Sequence, residues 1–215
     1  SDAVAIGTSA GNDAQKSKAV AIGFNAGSNT QESSAVAIGT DAGAGLQKAN
    51  AVAIGNIAGN SSQGASSVAI GIGAGNTNQN TLSVAMGASA GNNSQNTLAV
   101  AIGNQAGERN QGASGVAIGN QAGQRNGQGT AAVAIGNRAG QDNQGTTAVA
   151  IGANAGQNDQ DTSSVAIGTG AGQNDQGTNA VAIGNGAGAG NAGTGQGNLS
   201  IAIGFEAGKV NQKSE

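Results

Sequence analysis

Five residues, Ala99-Val100-Ala101-Ile102-Gly103, recur with small changes thirteen times along the chain, and no other property limits the fold so strongly. With the Val numbered 1, the unit reads V-A-I-G-x-x-A-G-x-x-x-Q-x-x-x-A/S over sixteen residues. Position 1 falls at Val4, Val20, Val36, Val52, Val68, Val84, Val100, Val116, Val133, Val149, Val165, Val181 and Ile201. A short fixed period makes each repeat one unit that cannot bury itself alone and is covered by its neighbours, as in a solenoid. A length of 215 residues would otherwise suggest one or two globular domains. The period predicts instead a single repeat domain over 1–215. The chain opens at Ser1-Asp2 on one repeat and stops inside another at Glu215, as an excerpt of a longer fibrous protein would.

Positions 16, 1, 2 and 3 alternate small, large, small, large, the pattern a β-strand presents on its two faces. None of the charged residues falls on this strand. A strand solvated on one side should carry polar residues there, so both faces are expected to be covered. Bulk then predicts the larger side chains inside: Val68, Ile70, Val100, Ile102, Val116, Ile118, Val149 and Ile151 as the core. The small face, represented by Ala101, Ala117 and Ala150, is left as the subunit interface. Gly at position 4 ends the strand, and the A-G pair at 7 and 8 predicts a second short strand. Chain-wide lack of proline fits a fold in which nearly every backbone N–H joins a ladder.

Positions 9–11 are rich in Asn, Asp, Gln and Ser, which predicts an exposed turn. Two irregular repeats put their extra residues there, one around Gly127 and one within 189–195, while every step from a Gln to the next strand is five residues. Insertions settle in tolerant loops, so the Gln belongs to the rigid part. Stacked coils would align Gln63, Gln79, Gln95, Gln111, Gln144 and Gln160 in an amide ladder. A fold of thirteen coils needs thirteen identical residues; a ligand site rarely does.

Composition removes several function classes. The chain has no His, Cys or Tyr, so the usual general bases and nucleophiles are missing and no enzymatic activity is expected. Carboxylates are scattered, with Asp159, Asp161 and Asp175 read as solvated loop residues rather than a calcium site. No cofactor and no metal is expected. A net charge of −3 without a basic stripe, and two Phe as the only aromatics, argue against nucleic acid. No apolar run is long enough to span a membrane as a helix.

At the motif Ser/Ala-Val-Ala-Ile-Gly, clearest in Ser67-Val68-Ala69-Ile70-Gly71 and Ser164-Val165-Ala166-Ile167-Gly168, the chain resembles the head repeats of trimeric autotransporter adhesins, the YadA-like family. The resemblance spans all thirteen repeats and extends to phage and viral fibres built from similar units. It departs from the family in repeat length, which is nearer fourteen there, and in having A-G, a three-residue segment and Gln where the family carries A-x-A-x-G. It implies an all-β, left-handed parallel β-roll assembled as a homotrimer, extracellular or on a cell or virion surface, with an adhesive role toward an unidentified protein or glycan. Two other classes fit the composition: an ice-binding solenoid with a flat Ala-rich face, and a purely structural fibre or filament.

Overall fold

The V-A-I triplets are short strands because β-branched residues flank a small one, and Gly at position 4 closes each strand after three residues. The structure is a computed structural model that describes residues 2–191 and 194–209. It is an all-β parallel solenoid with one repeat per coil, and no helix occurs among the described residues. Two units are distinguished, Ser1–Glu108 and Arg109–Glu215.

In the first unit, strands Val4–Ile6, Val20–Ile22, Val36–Ile38, Val52–Ile54, Val68–Ile70, Val84–Met86 and Val100–Ile102 pair in parallel in chain order. In the second, Val116–Ile118, Val133–Ile135, Val149–Ile151, Val165–Ile167, Val181–Ile183 and Ile201–Ile203 do the same. Each residue faces its own equivalent one coil away: Val68 meets Val84, Ala69 meets Ala85, and Ile70 meets Met86. Identical register along this sheet follows from the repeat. It survives the long repeat, since Val181 still meets Ile201.

The interior is the reverse of what bulk predicts. Ala101, Ala117 and Ala150 are fully buried inside the coil, so they cannot form a subunit surface. Val68, Ile70, Val100, Val116, Ile118 and Val149 are half-buried on the outer face, and Ile102 and Ile151 stand exposed at 37% and 36%. The reason is the width of the coil. A Cβ added to Gly75 would already lie 3.2 Å from the Cβ of Ala69 across it, so the space inside admits a methyl group and nothing larger. Ala at positions 2, 7 and 16 (Ser or Gly in some repeats) fills it together with the Gln arm.

The second sheet also differs from expectation. The A-G pair lies in a turn, and the strands are the polar segments ending at the Gln. In the first unit these are Ala14–Gln15, Thr30–Gln31, Leu46–Gln47, Ser62–Gln63, Thr77–Gln79 and Asn93–Gln95. In the second they are Arg109–Gln111, Arg125–Gln128, Asp142–Gln144, Asn158–Gln160 and Asn174–Gln176. These segments pair as strands because the stacked coil satisfies their backbone groups, while the residue before the Gln in the three-residue strands keeps a turn conformation, with φ between +47° and +62°. The extra residue of the 116–132 repeat is accommodated as a register shift between Arg125 and Gln128 within its strand.

Position 4 illustrates why one residue type recurs. Gly71 has φ +125°, and a Cβ there would stand 2.7 Å from the Gly87 carbonyl oxygen of the next coil. Only glycine permits both the backbone and the approach.

Candidate interaction face

The outer face of the V-A-I sheet is the surface most unlike that of a solvated strand. Its two side-chain columns are Val and Ile throughout, apart from Met86, with no polar or charged member. Toward the C-terminal end of the first unit the apolar surface widens into the corners beside the strand: Leu82 and Leu98 are 51% and 54% exposed, and Ile72 is 64% exposed. Phe24, two residues past its strand, is exposed as well. Each coil contributes a strip of ~50 Å² from a 4.8 Å strand spacing and three extended residues, so each unit presents roughly 300 Å². Contiguous apolar patches of that size on a soluble protein are commonly interaction sites.

The Gln column lies inside, behind this sheet. Gln47 Nε2 donates to Gln63 Oε1 at 3.1 Å, Gln79 to Gln95 at 3.2 Å, Gln144 to Gln160 at 3.2 Å, and Gln160 to Gln176 at 3.2 Å. The same amides donate to the carbonyl of the strand opposite, as Gln63 does to Val52 at 2.7 Å and Gln95 to Val84 at 2.7 Å. Gln111 Nε2 donates to the Gly115 carbonyl at 3.1 Å. Each amide thus ties the polar sheet to the apolar one and one coil to the next. Among the described residues, the buried Oε1 atoms of Gln79 and Gln128 accept no hydrogen bond. These side chains are fully or almost fully buried, which makes them part of the frame of the face rather than a surface comb.

A second amide column runs through the second unit at position 9. Gln141 donates to Gln124 at 3.0 Å, Gln157 to Gln141 at 3.1 Å, and Gln173 to Gln157 at 3.0 Å. Its donors point to the preceding coil, whereas those of the inner column point to the following one. The signal is present in the sequence as four successive Gln at one position, hidden by reading positions 9–11 as a loop.

Polar chemistry elsewhere is sparse. A shallow open cleft of about 290 Å³ is lined by Asn126, Asn143, Asp161 and Thr162 among others. Among the described residues there is no group of three or more potential metal-ligating side chains. The Glu32–Lys48 pair, 3.2 Å apart, joins successive coils at position 13. The Lys48 hydrogen bond, with help from its charge and the Ala49 N–H, holds the Glu32 carboxyl below its ordinary range against a smaller opposing effect of burial. No helix among the described residues is long and apolar enough to cross a membrane.

Comparison of the chain with family models, with curated proteins and with solved structures finds no match.

Proposed function

We propose that the chain is a segment of a structural and adhesive surface fibre, in which copies pack through the Val/Ile face and present the polar turns outward for attachment to a cell or matrix. The observation that carries this reading is the uncharged double column of Val and Ile, which one chain leaves half-exposed. Burying roughly 300 Å² of it per unit is worth about 7 kcal/mol at 25 cal/mol per Å². That is of the order of the ~4–15 kcal/mol lost in freedom on association, so burial of this face offsets much of that cost. Three copies, as the resemblance to adhesin heads implies, would enclose the columns along a common axis. The same resemblance supports an extracellular or virion-surface location.

The competing reading, ice binding, now falls on the same face, because the Ala rows lie inside. Aliphatic side chains repeating every ~4.8 Å along each column suit ordered water, and this spacing is what favours it.

Mass in solution separates the two. A fibre segment should run near three times its 20.1 kDa, and Ile118→Lys with Ile135→Lys should reduce it to a monomer that remains folded by far-UV circular dichroism. A wild type that is monomeric at 20.1 kDa overturns assembly through this face, and thermal hysteresis in that monomer would establish ice binding.

A further inference from the structure

The dipeptide Asn-Gly occurs twice in the chain, at Asn126-Gly127 and Asn185-Gly186. It is the sequence in which a backbone nitrogen, unshielded by a side chain, reaches the preceding side-chain amide most easily. Both asparagines are exposed, and the two copies differ in how their backbones are held. The peptide linking Asn185 to Gly186 is pinned at both ends. The Gly186 N–H donates to the Thr169 carbonyl at 2.9 Å, and the Asn185 carbonyl accepts from the Glu206 N–H at 2.8 Å. Asn126 and Gly127 lie instead in the bulge between the paired residues Arg125 and Gln128, where the register shifts. Asn126 is exposed with φ +54°, and Gly127 has φ +87°. The space beside Gly127 is open, since a Cβ there would meet only the Asn110 carbonyl oxygen at 3.7 Å.

We propose that Asn126 is a site of spontaneous modification, converting to aspartate and isoaspartate, while Asn185 is protected by the coil stack. The Gly127 nitrogen attacks Cγ of Asn126 and forms a new C–N bond. The bond from Cγ to the side-chain nitrogen breaks, and ammonia leaves carrying the proton lost by the Gly127 nitrogen. Solvent water then opens the cyclic imide at either carbonyl. One opening gives an ordinary aspartate in place of the asparagine; the other gives an isoaspartyl link that adds a methylene to the backbone. The bulge already holds one residue more than its neighbours, so it accommodates that extra atom. The new carboxylate changes the net charge from −3 to −4 and stands in the cleft that also holds Asp161. Asn143, next along the column, is already engaged with Asp159 at 2.7 Å. The modified protein therefore carries a more acidic cleft, a change that accumulates with age.

The test is to incubate the folded full chain in mildly alkaline buffer at physiological temperature. The protein is then digested with trypsin, and isoaspartate in the resulting peptides is labelled with protein isoaspartyl methyltransferase and read at once under acidic conditions. Cleavage at Arg125 and Arg138 separates segment 126–138 from segment 139–209, which contains Asn185. Label is expected to accumulate in 126–138 and not in 139–209, and Asn126→Gln should abolish it. In chain unfolded with guanidinium, both segments should label. Label in 139–209 of the folded chain at the rate seen in 126–138 would overturn the proposal. So would a folded chain that stays unlabelled in 126–138 while the unfolded chain labels there.

Discussion

Gly156 and Gln160 share one volume: a Cβ on Gly156 would lie 2.5 Å from Gln160 Oε1. The Gln arm folds beneath the turn of its own coil, and the glycine four residues earlier exists to leave it room. The backbone there, with φ +50°, is also one that L-residues adopt at a cost. Gly156→Ala is expected to lower stability by more than the ~1–2 kcal/mol of left-handed strain alone, because the amide must also be displaced. Denaturant unfolding measures it. A loss no greater than that of Ala at the nearby exposed Asp161 would contradict the shared volume.

Gln160 donates to the Val149 carbonyl at 2.8 Å and to Gln176 at 3.2 Å, and accepts from Gln144 at 3.2 Å. Gln160→Ala leaves neighbouring polar groups buried without partners, an expected loss of about 1–3 kcal/mol for each one stranded. Gln160→Glu is isosteric but brings a carboxylate into a dry column. Burial raises the folded-state pKa of such a group above its unfolded value. The folded state then binds the extra proton more tightly, so this variant should gain stability as pH falls and lose it as pH rises through the folded pKa. Unfolding midpoints across the acidic range would show the trend, and a flat profile would argue that water reaches the column.

Ala150→Val and Ile151→Val invert the usual ranking of core and surface. Adding methyls at Ala150 overfills a space sized for one, with an expected cost of ~1–3 kcal/mol. Removing one from Ile151, 36% exposed, should change the stability of an isolated chain by less than the ~0.5–1.5 kcal/mol of a buried site. Thermal unfolding of both variants, with the oligomeric state determined in parallel, compares them directly.

Deleting Gly127 restores the sixteen-residue period. It should close the bulge and bring Gln111 into donor range of Gln128 Oε1, a buried acceptor that now has no partner. The expected result is unchanged or increased stability, read from the unfolding midpoint. A marked loss would mean that the bulge is required by its neighbours.

The Glu32–Lys48 pair gives a pH signature at the surface. With its pKa depressed in the folded state, Glu32 contributes stability above the unfolded carboxylate pKa, and that contribution is lost as pH falls through the folded value. Lys48→Ala should move the Glu32 titration upward in carboxyl-resolved NMR, and added salt should do the same more weakly.

Periodicity alone determined that the chain is a parallel all-β solenoid with one repeat per coil, which strand ends at which Gly, and that the Gln stays at a fixed distance from the next strand. Those features depend on spacing, and spacing is visible in a string of residues. Which face of the strand looks inward was decided only by the tertiary structure. Alternation shows that Val100 and Ala101 point in opposite directions, yet both orientations obey it equally. The choice falls to the distance between the two sheets of one coil, too small for Val or Ile and filled by Ala and Gln, so the larger side chains go outside. The polar strands were hidden for a related reason. Asn110 has turn chemistry by itself and keeps a left-handed backbone, φ +51°, inside the strand Arg109–Gln111, and only the neighbouring coil, offering a hydrogen-bonding edge, pairs the segment into a sheet.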